Sequence, residues 1–263
     1  MAGGQSLVLL MREGLVQPEV VVNLERITGL NDIRLDATNS VVEVGALATH
    51  RQIEKSTLIQ EHFPFIYEAY QTLASVPVRN VATLGGNLCH NAPGSDPPPL
   101  LIALDGTVRL RGPAGERSLS VEEFGTDFYE SALDEAEILT SVTVPLLPPR
   151  SGAAYHKYAI RPMDMAIVSV AVRITLDTEE NRCQDVRVAL SGVAPTTIRS
   201  RQAEEALRGQ ELNEQVIAQA ADLAAREIEP ISDVHASADY RRRLTPPAVR
   251  RMATLAWQRA TNA

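Results

Sequence analysis

The stretch ATLGGNLCHNAPGSDPPP, residues 82–99, places two adjacent glycines before a polar loop, an aspartate and three prolines. A second glycine pair occurs in MAGGQSLVLL, residues 1–10, where it precedes a polar pair and an apolar run. Because glycine has no β-carbon, it permits positive φ and lets a ligand approach the main-chain N–H groups closely. Successive N–H groups in such a turn form a concave site for anions. The two stretches together predict a pair of turns that hold the two phosphates of a dinucleotide from two sides.

A glycine pair is also an ordinary turn signal, with no ligand involved. Neither pair fits the pattern G-x-G-x-x-G, so a Rossmann-type nucleotide site is disfavoured. From the residues alone, a structural turn and an anion-binding turn therefore both remain open.

Composition excludes several classes of function. The 263 residues carry a formal charge of −8, whereas non-specific nucleic-acid binding needs a basic surface. The two cysteines form no C-x-x-C motif, and the five histidines are scattered, so the chain predicts neither an iron–sulfur cluster nor a metal site of its own. No side chain is identified as a catalytic base or nucleophile. Two cysteines, no apolar run long enough for a bilayer and no signal-peptide pattern together predict a cytoplasmic protein.

The patterning changes near residues 146–153, a proline-containing stretch that is typical of a linker. Before it, short strand and helix patterns alternate: strands at 18–24, 40–47 and 137–145, a helix capped by Thr49, a helix at 65–74, and a hairpin at 107–120. After it, three strand-like runs are followed by three helical patterns, at 200–208, 211–228 and 237–260. Strands followed by helices indicate an α+β domain.

Three ordered motifs, AGGQSL, TLGGN and YHKYAIRPMDMAIVSVAV, resemble the FAD-binding medium subunit of the carbon monoxide dehydrogenase and xanthine dehydrogenase family of molybdenum hydroxylases. The resemblance covers nearly the whole chain. It implies an α+β protein in two domains. Residues 1–148 would form an FAD-binding domain of the vanillyl-alcohol-oxidase (PCMH) type, and residues 152–263 a small α+β C-terminal domain with a three-stranded antiparallel sheet plus helices.

The resemblance also implies which residues bind FAD. They are Ala2, Gly3, Gly4, Gln5 and Ser6 in the first turn, Thr83, Leu84, Gly85, Gly86 and Asn87 in the second, and Asp96, Leu139 and Lys157. For Asp96, Leu139 and Lys157 an explanation without a ligand is also available. Asp96 is also explained as a turn residue before prolines, Leu139 as a core strand residue, and Lys157 as a surface lysine.

The implied function is an oxidoreductase subunit that is active only in a hetero-oligomeric complex. In such a complex a molybdopterin-containing large subunit oxidises the substrate, and a 2Fe–2S small subunit passes electrons through FAD to an external acceptor. Two alternatives remain: a truncated, flavin-free scaffold subunit, and a stand-alone flavin oxidoreductase, which would need its own acid–base group.

The beginning of the chain departs from the family pattern. Family members carry a further segment of about 30 residues before the first glycine turn, roughly the size of one βαβ unit. The departure predicts a truncated N-terminus or a misplaced start, a less firmly held first turn, and an exposed apolar patch beside it.

Overall fold

The computed structural model describes residues 1–263, which form two compact units. The first unit contains Met1–Ala92 and Gly106–Pro145, and the second contains Pro93–Asp105 and Leu146–Ala263. Residues 93–105 therefore pack with the C-terminal part of the chain, although they precede the predicted domain boundary. The boundaries at residues 148 and 152 stay a prediction.

The first unit is built on a five-stranded antiparallel sheet with the order β1-β2-β7-β3-β4. Its strands are β1 (Ile33–Asp36), β2 (Val41–Gly45), β3 (Thr107–Gly112), β4 (Gly115–Ser120) and β7 (Ile138–Pro145). Alternating apolar residues place one side of each central strand in the core, where Val42, Val108 and Val142 are fully buried. The predicted hairpin at 107–120 and the strands at 40–47 and 137–145 are confirmed.

Short helices and one small ribbon complete this unit. The helices are α1 (Leu7–Arg12), α2 (His50–Lys55), α3 (Thr57–His62), α4 (Pro64–Tyr70), α5 (Val76–Val81), α6 (Leu84–His90) and α8 (Val121–Phe124), and the ribbon pairs β5 (Gly125–Asp127) with β6 (Glu130–Ser131). The predicted cap at Thr49 is confirmed, because its side chain accepts from the Gln52 N–H and the Gln52 side chain accepts from the Thr49 N–H.

The predicted strand at 18–24 is wrong. These residues form no strand and pair with no neighbouring strand, and Val20 and Val22 are 77% and 65% exposed. A β-branched run becomes a strand only where a partner accepts its main-chain hydrogen bonds. Other apolar side chains near the first glycine turn are exposed too, among them Leu9 and Leu15. The predicted truncation stays a prediction.

The second unit contains a four-stranded antiparallel sheet with the order β11-β10-β9-β8. Its elements are α7 (Pro97–Ala103), β8 (Ser151–Tyr158), β9 (Val168–Leu176), β10 (Cys183–Ser191), β11 (Ile198–Arg199), α9 (Arg201–Leu207), α10 (Glu214–Ala224) and α11 (Ala238–Thr261). Every residue of β9 is buried, so both of its faces are covered. The predicted three strands and three helices are confirmed, and the two-residue β11 is an addition that pairs with Ala189 and Leu190.

None of the helices combines the length and the hydropathy needed to cross a membrane. The structure also contains no group of three or more His, Cys, Asp or Glu side chains placed to hold a metal ion.

Candidate functional site

The two glycine turns predicted from the sequence lie against each other in the first unit. A β-carbon on Gly3 would lie 2.1 Å from the carbonyl oxygen of Val81 and 3.0 Å from the Cα of Ala82, just before the second turn. A β-carbon on Gly86 would lie 3.5 Å from the Cβ of Ala2. The absence of a side chain at Gly3 is therefore what lets the two turns meet.

The first turn presents a run of unpaired main-chain donors. None of the N–H groups from Gly3 to Ser6 donates to an acceptor in the protein. Gly4 has φ +68°, a left-handed conformation that suits glycine, and the Ser6 side chain forms no capping hydrogen bond with α1. Consecutive N–H groups in a turn of this kind form a concave site for an anion.

The second turn differs from the expectation that its N–H groups would also be free for a ligand. The amides of Leu84 and Gly85 donate to the carbonyls of Ala48 and Ala46, at 3.0 and 2.8 Å. The amide of Gly86 donates to the Thr83 hydroxyl at 3.1 Å, and the amide of Asn87 donates to the Thr83 carbonyl at 3.0 Å. That expectation is wrong because these donors fix the start of α6. The second turn therefore supplies a rigid wall rather than a second set of free amides.

Both turns line one cavity of about 320 Å³. No Lys, Arg, Asp or Glu side chain lines it, so an anion bound there would be held by amides and neutral polar groups. Its lining residues are Met1, Ala2, Gly3, Gly4, Gln5, Ser6, Leu7, Leu10, His50, Leu73, Ala74, Val78, Ala82, Thr83, Gly86, Asn87 and His90.

A neighbouring cavity of about 900 Å³ shares Met1, Ala2, Gly3 and Thr83 with the smaller one. It is lined by no residue from Gly4 to Ser6 and by neither Gly86 nor Asn87. The smaller cavity is therefore the one that both glycine turns define, and it is the candidate site.

His50, which the sequence analysis did not assign to the site, lines this cavity. Its main-chain N–H donates to the carbonyl of Ala82 at 2.9 Å, which ties the start of α2 to the second turn. The residue is 1% exposed, and its ring meets the Tyr70 ring edge-on with the centroids 5.5 Å apart. Burial, with the positive charge of Arg79, lowers the pKa of His50 to about 4, so its imidazole is neutral at pH 7. The only sequence signal was its place directly after the Thr49 cap.

His90 also lines the cavity, and the sequence analysis did not assign it to the site either. Its ring lies 5.0 Å from the Tyr129 ring, and burial lowers its pKa. The next residue, Asn91, donates from Nδ2 to the carbonyls of Asp127 and Glu130, each at 2.8 Å. Asn91 thereby fixes the β5–β6 ribbon to the end of α6.

Asp96 and Lys157 are brought together in the second unit. The Lys157 ammonium donates to Asp96 Oδ2 at 2.9 Å, and the Tyr155 hydroxyl donates to Asp96 Oδ1. Burial raises the pKa of Asp96, and the neighbouring Lys157 and Tyr155 oppose that rise. Both charged side chains are buried, so the explanation of Lys157 as a surface lysine is wrong. Their contact with FAD stays a prediction.

Leu139 lies in β7, opposite Leu110 of β3, and is 4% exposed. It lines neither of the two cavities. Its position is that of a core strand residue, the plainer of the two explanations, and a flavin contact for Leu139 stays a prediction.

A mixed α/β protein whose first unit pairs two glycine turns around a cavity is a candidate dinucleotide-binding protein. Two family models cover the chain. Residues 1–147 match the FAD binding domain in molybdopterin dehydrogenase, and residues 153–256 match the CO dehydrogenase flavoprotein C-terminal domain. The chain belongs to the family of molybdopterin dehydrogenase FAD-binding subunits. The predicted fold class and FAD as the cofactor are thereby confirmed.

Similar proteins align with this chain over almost its whole length. The 6-hydroxypseudooxynicotine dehydrogenase complex subunit alpha of Paenarthrobacter nicotinovorans is 34% identical, over 98% of this chain and 86% of that protein. The carbon monoxide dehydrogenase medium chain of Hydrogenophaga pseudoflava is 32% identical, over 98% and 89%. A solved structure of the Hydrogenophaga pseudoflava carbon monoxide dehydrogenase matches with a TM-score of 0.94 and 33% identity, over 98% of this chain and 89% of that one. Quinoline 2-oxidoreductase from Pseudomonas putida 86 matches with a TM-score of 0.91 and 32% identity, over 99% and 89%.

The residues present fit the diphosphate of FAD. A diphosphate needs several donors that converge on its oxygens, and the unpaired amides from Gly3 to Ser6 supply them. The second turn and His50 close the cavity around this group of donors.

Proposed function

We propose that the chain is the FAD-binding medium subunit of a molybdenum hydroxylase complex. Its role is to relay electrons from a 2Fe–2S small subunit through FAD to an external acceptor. A molybdopterin-containing large subunit oxidises the substrate. The family match and the relatives named as medium chains or complex subunits support this assignment.

The observation that carries the proposal is the group of unpaired amides from Gly3 to Ser6 beside the second glycine turn. We assign Ala2–Ser6 to the FAD diphosphate through main-chain hydrogen bonds. Thr83–Asn87 form the opposite wall, through the surface of Gly86 and the side chains of Thr83 and Asn87. The predicted contacts of Asp96, Leu139 and Lys157 with other parts of FAD belong to the same proposal.

FAD supplies the redox chemistry when it is bound, and the protein supplies binding and orientation. The chain's own contribution is to hold the diphosphate with neutral donors. No residue of the site is assigned as a substrate-side acid, base or nucleophile. A chain that binds the cofactor but has no such residue fits a subunit that works only with its partners.

We also propose a cytoplasmic location. Cys89 and Cys183 are both free thiols, and free thiols persist in a reducing compartment.

The test is a titration of the purified full-length chain with FAD, followed by quenching of flavin fluorescence, with ADP as a competitor. We expect saturation at one FAD per chain and displacement of FAD by ADP, because both ligands carry a diphosphate. A folded chain that leaves the fluorescence unchanged would contradict the proposal and favour the flavin-free scaffold.

A second arm separates the relay from a stand-alone oxidoreductase. The FAD-loaded chain alone is incubated with purines, aldehydes and N-heterocycles, and flavin reduction is followed by absorbance. We expect no reduction without partner subunits. Turnover by the isolated chain would contradict the relay.

A further inference from the structure

His50 carries a buried polar atom that the protein leaves unsatisfied. Its Nδ1 is buried and has no hydrogen-bond partner, and the residue as a whole is 1% exposed. A buried polar group without a partner costs free energy, so nearly all such groups in folded proteins find a partner in the protein, a water or a ligand. The imidazole of His50 therefore needs an explanation that the rest of the protein does not provide.

The position of the ring points to a ligand. His50 lines the same 320 Å³ cavity as Gly3, Gly4 and Gly86, so it borders one space together with both glycine turns. Its main chain is fixed by the hydrogen bond to Ala82, and its ring rests against Tyr70. A side chain held this firmly at a cavity wall is suited to orienting a bound group.

The positive charge near His50 is neutralised by groups other than His50. Arg79 is the nearby cation, and its Nε donates to Glu54 Oε2 at 3.0 Å. Arg79 Nη1 also donates to the carbonyls of Leu73 and Ala74, each at 2.7 Å, which holds the guanidinium in place. Arg79 therefore has its partners, and His50 contributes a neutral ring with one N–H donor and one acceptor nitrogen.

We propose that the imidazole of His50 donates a hydrogen bond to the diphosphate of FAD and positions it against the amides of the first glycine turn. The inference rests on the proposed function, because it needs FAD in the smaller cavity. His50 acts as a positioning residue of the cofactor site.

Two substitutions separate hydrogen bonding from packing. His50→Phe keeps a planar ring beside Tyr70 and removes both nitrogens, whereas His50→Gln keeps a donor of similar reach. His62→Phe is the matched control, since His62 belongs to the same unit but lines neither cavity. Dissociation constants for FAD and for ADP are measured by fluorescence quenching and calorimetry on the full chain. Urea unfolding of each variant without ligand checks the fold.

We expect His50→Phe to weaken FAD and ADP alike by about tenfold or more, as for the loss of a hydrogen bond to a charged group. His50→Gln should bind markedly tighter than His50→Phe, and His62→Phe should match the wild type. Without ligand, His50→Phe should unfold at an equal or higher urea concentration, because an unsatisfied nitrogen is gone. If His50→Phe does not fold, His50→Gln and His50→Ala are compared instead. A loss of FAD affinity below about twofold in folded His50→Gln and above about fivefold in His50→Ala supports the same conclusion.

Three results would overturn the inference while leaving the proposed function intact: unchanged FAD affinity in His50→Phe, equal losses in His50→Phe and His50→Gln, or a loss for FAD with none for ADP. A wild-type chain that binds neither FAD nor ADP would instead contradict the proposed function, and this inference with it.

Discussion

Gly3 lies so close to Val81 that a β-carbon on Gly3 would sit 2.1 Å from the Val81 carbonyl oxygen. The oxygen belongs to the main chain directly before the second glycine turn and cannot rotate away as a flexible side chain would. The contact therefore sets the separation of the two turns and the width of the cavity between them.

Gly3→Ala should push the two turns apart and weaken FAD binding by about tenfold or more, since cofactor sites tolerate displacements of only about 0.5 Å. The measurement is the FAD dissociation constant of the folded variant. Gly209→Ala is the control, because Gly209 lies in the second unit and an added β-carbon there meets nothing within 4 Å, although its φ of +75° also strains alanine. Equal FAD affinity in Gly3→Ala and the wild type would contradict this account of the cavity.

Arg79→Met should destabilise the first unit by about 2 kcal/mol, because two carbonyl oxygens lose their donor and the buried Glu54 carboxylate keeps only Arg51 as a cationic partner. Urea unfolding measures the change in the free energy of unfolding. Arg34→Met is the matched control. The Arg34 side chain is 64% exposed in its ion pair with Glu43, so this change should cost less than about 1 kcal/mol. Equal costs in the two variants would show that burial does not decide the strength of the Arg79 pair.

His50 should make stability depend on pH. Its pKa falls from 6.5 to about 4 on folding, so between these values the unfolded chain binds a proton that the folded chain excludes. Stability is therefore highest above pH 6.5 and falls as the pH drops toward 4. Between about pH 7 and pH 5, the wild type should lose about 2 kcal/mol more than His50→Gln.

The measurement is urea unfolding of both proteins at several pH values. Other groups with shifted pKa, such as His90 and His156, occur in both proteins, so their contributions cancel in the difference. Parallel stability curves for the two proteins would show that His50 is not held neutral.

The Lys157–Asp96 pair should be strongly coupled. Asp96→Asn or Lys157→Met alone leaves one buried charge without its partner and should cost about 3 kcal/mol. The double variant should be more stable than the sum of the single changes by at least about 1 kcal/mol. Urea unfolding of the four proteins of the cycle measures this coupling. Additive costs would show that the pair does not act as a unit.

Much of the fold follows from local patterns. The alternation in residues 40–47 and 107–120 predicts β2, β3 and β4, because alternating apolar residues bury one face of a strand. The pattern fails at residues 18–24, where β-branched residues favour a strand but no neighbouring strand pairs with them. Nor does a local pattern show that a charged residue near the start of α11 is buried. Arg241 is 4% exposed there and donates to the carbonyl of Gly192 at 2.8 Å. Such long-range partners leave no signal in the local sequence.

The candidate site was predictable in outline only. The glycine pairs mark both turns, but nothing in either motif distinguishes free amides from amides that bond within the protein. That difference arises from the placement of Ala46 and Ala48, whose carbonyls accept from the second turn. Likewise His50 is separated from that turn by more than thirty positions in the sequence, and only the fold brings it to the cavity.

The most direct test of the central claim is amide hydrogen exchange of the full chain, resolved by residue, with and without saturating FAD. Without FAD, the amides from Gly3 to Ser6 should exchange fast, and those of Gly85 and Asn87 slowly, because only the latter have acceptors in the protein. Added FAD should slow exchange from Gly3 to Ser6 and leave Gly85 and Asn87 protected as before. Exchange from Gly3 to Ser6 that stays fast while FAD is bound would show that these amides do not hold the diphosphate.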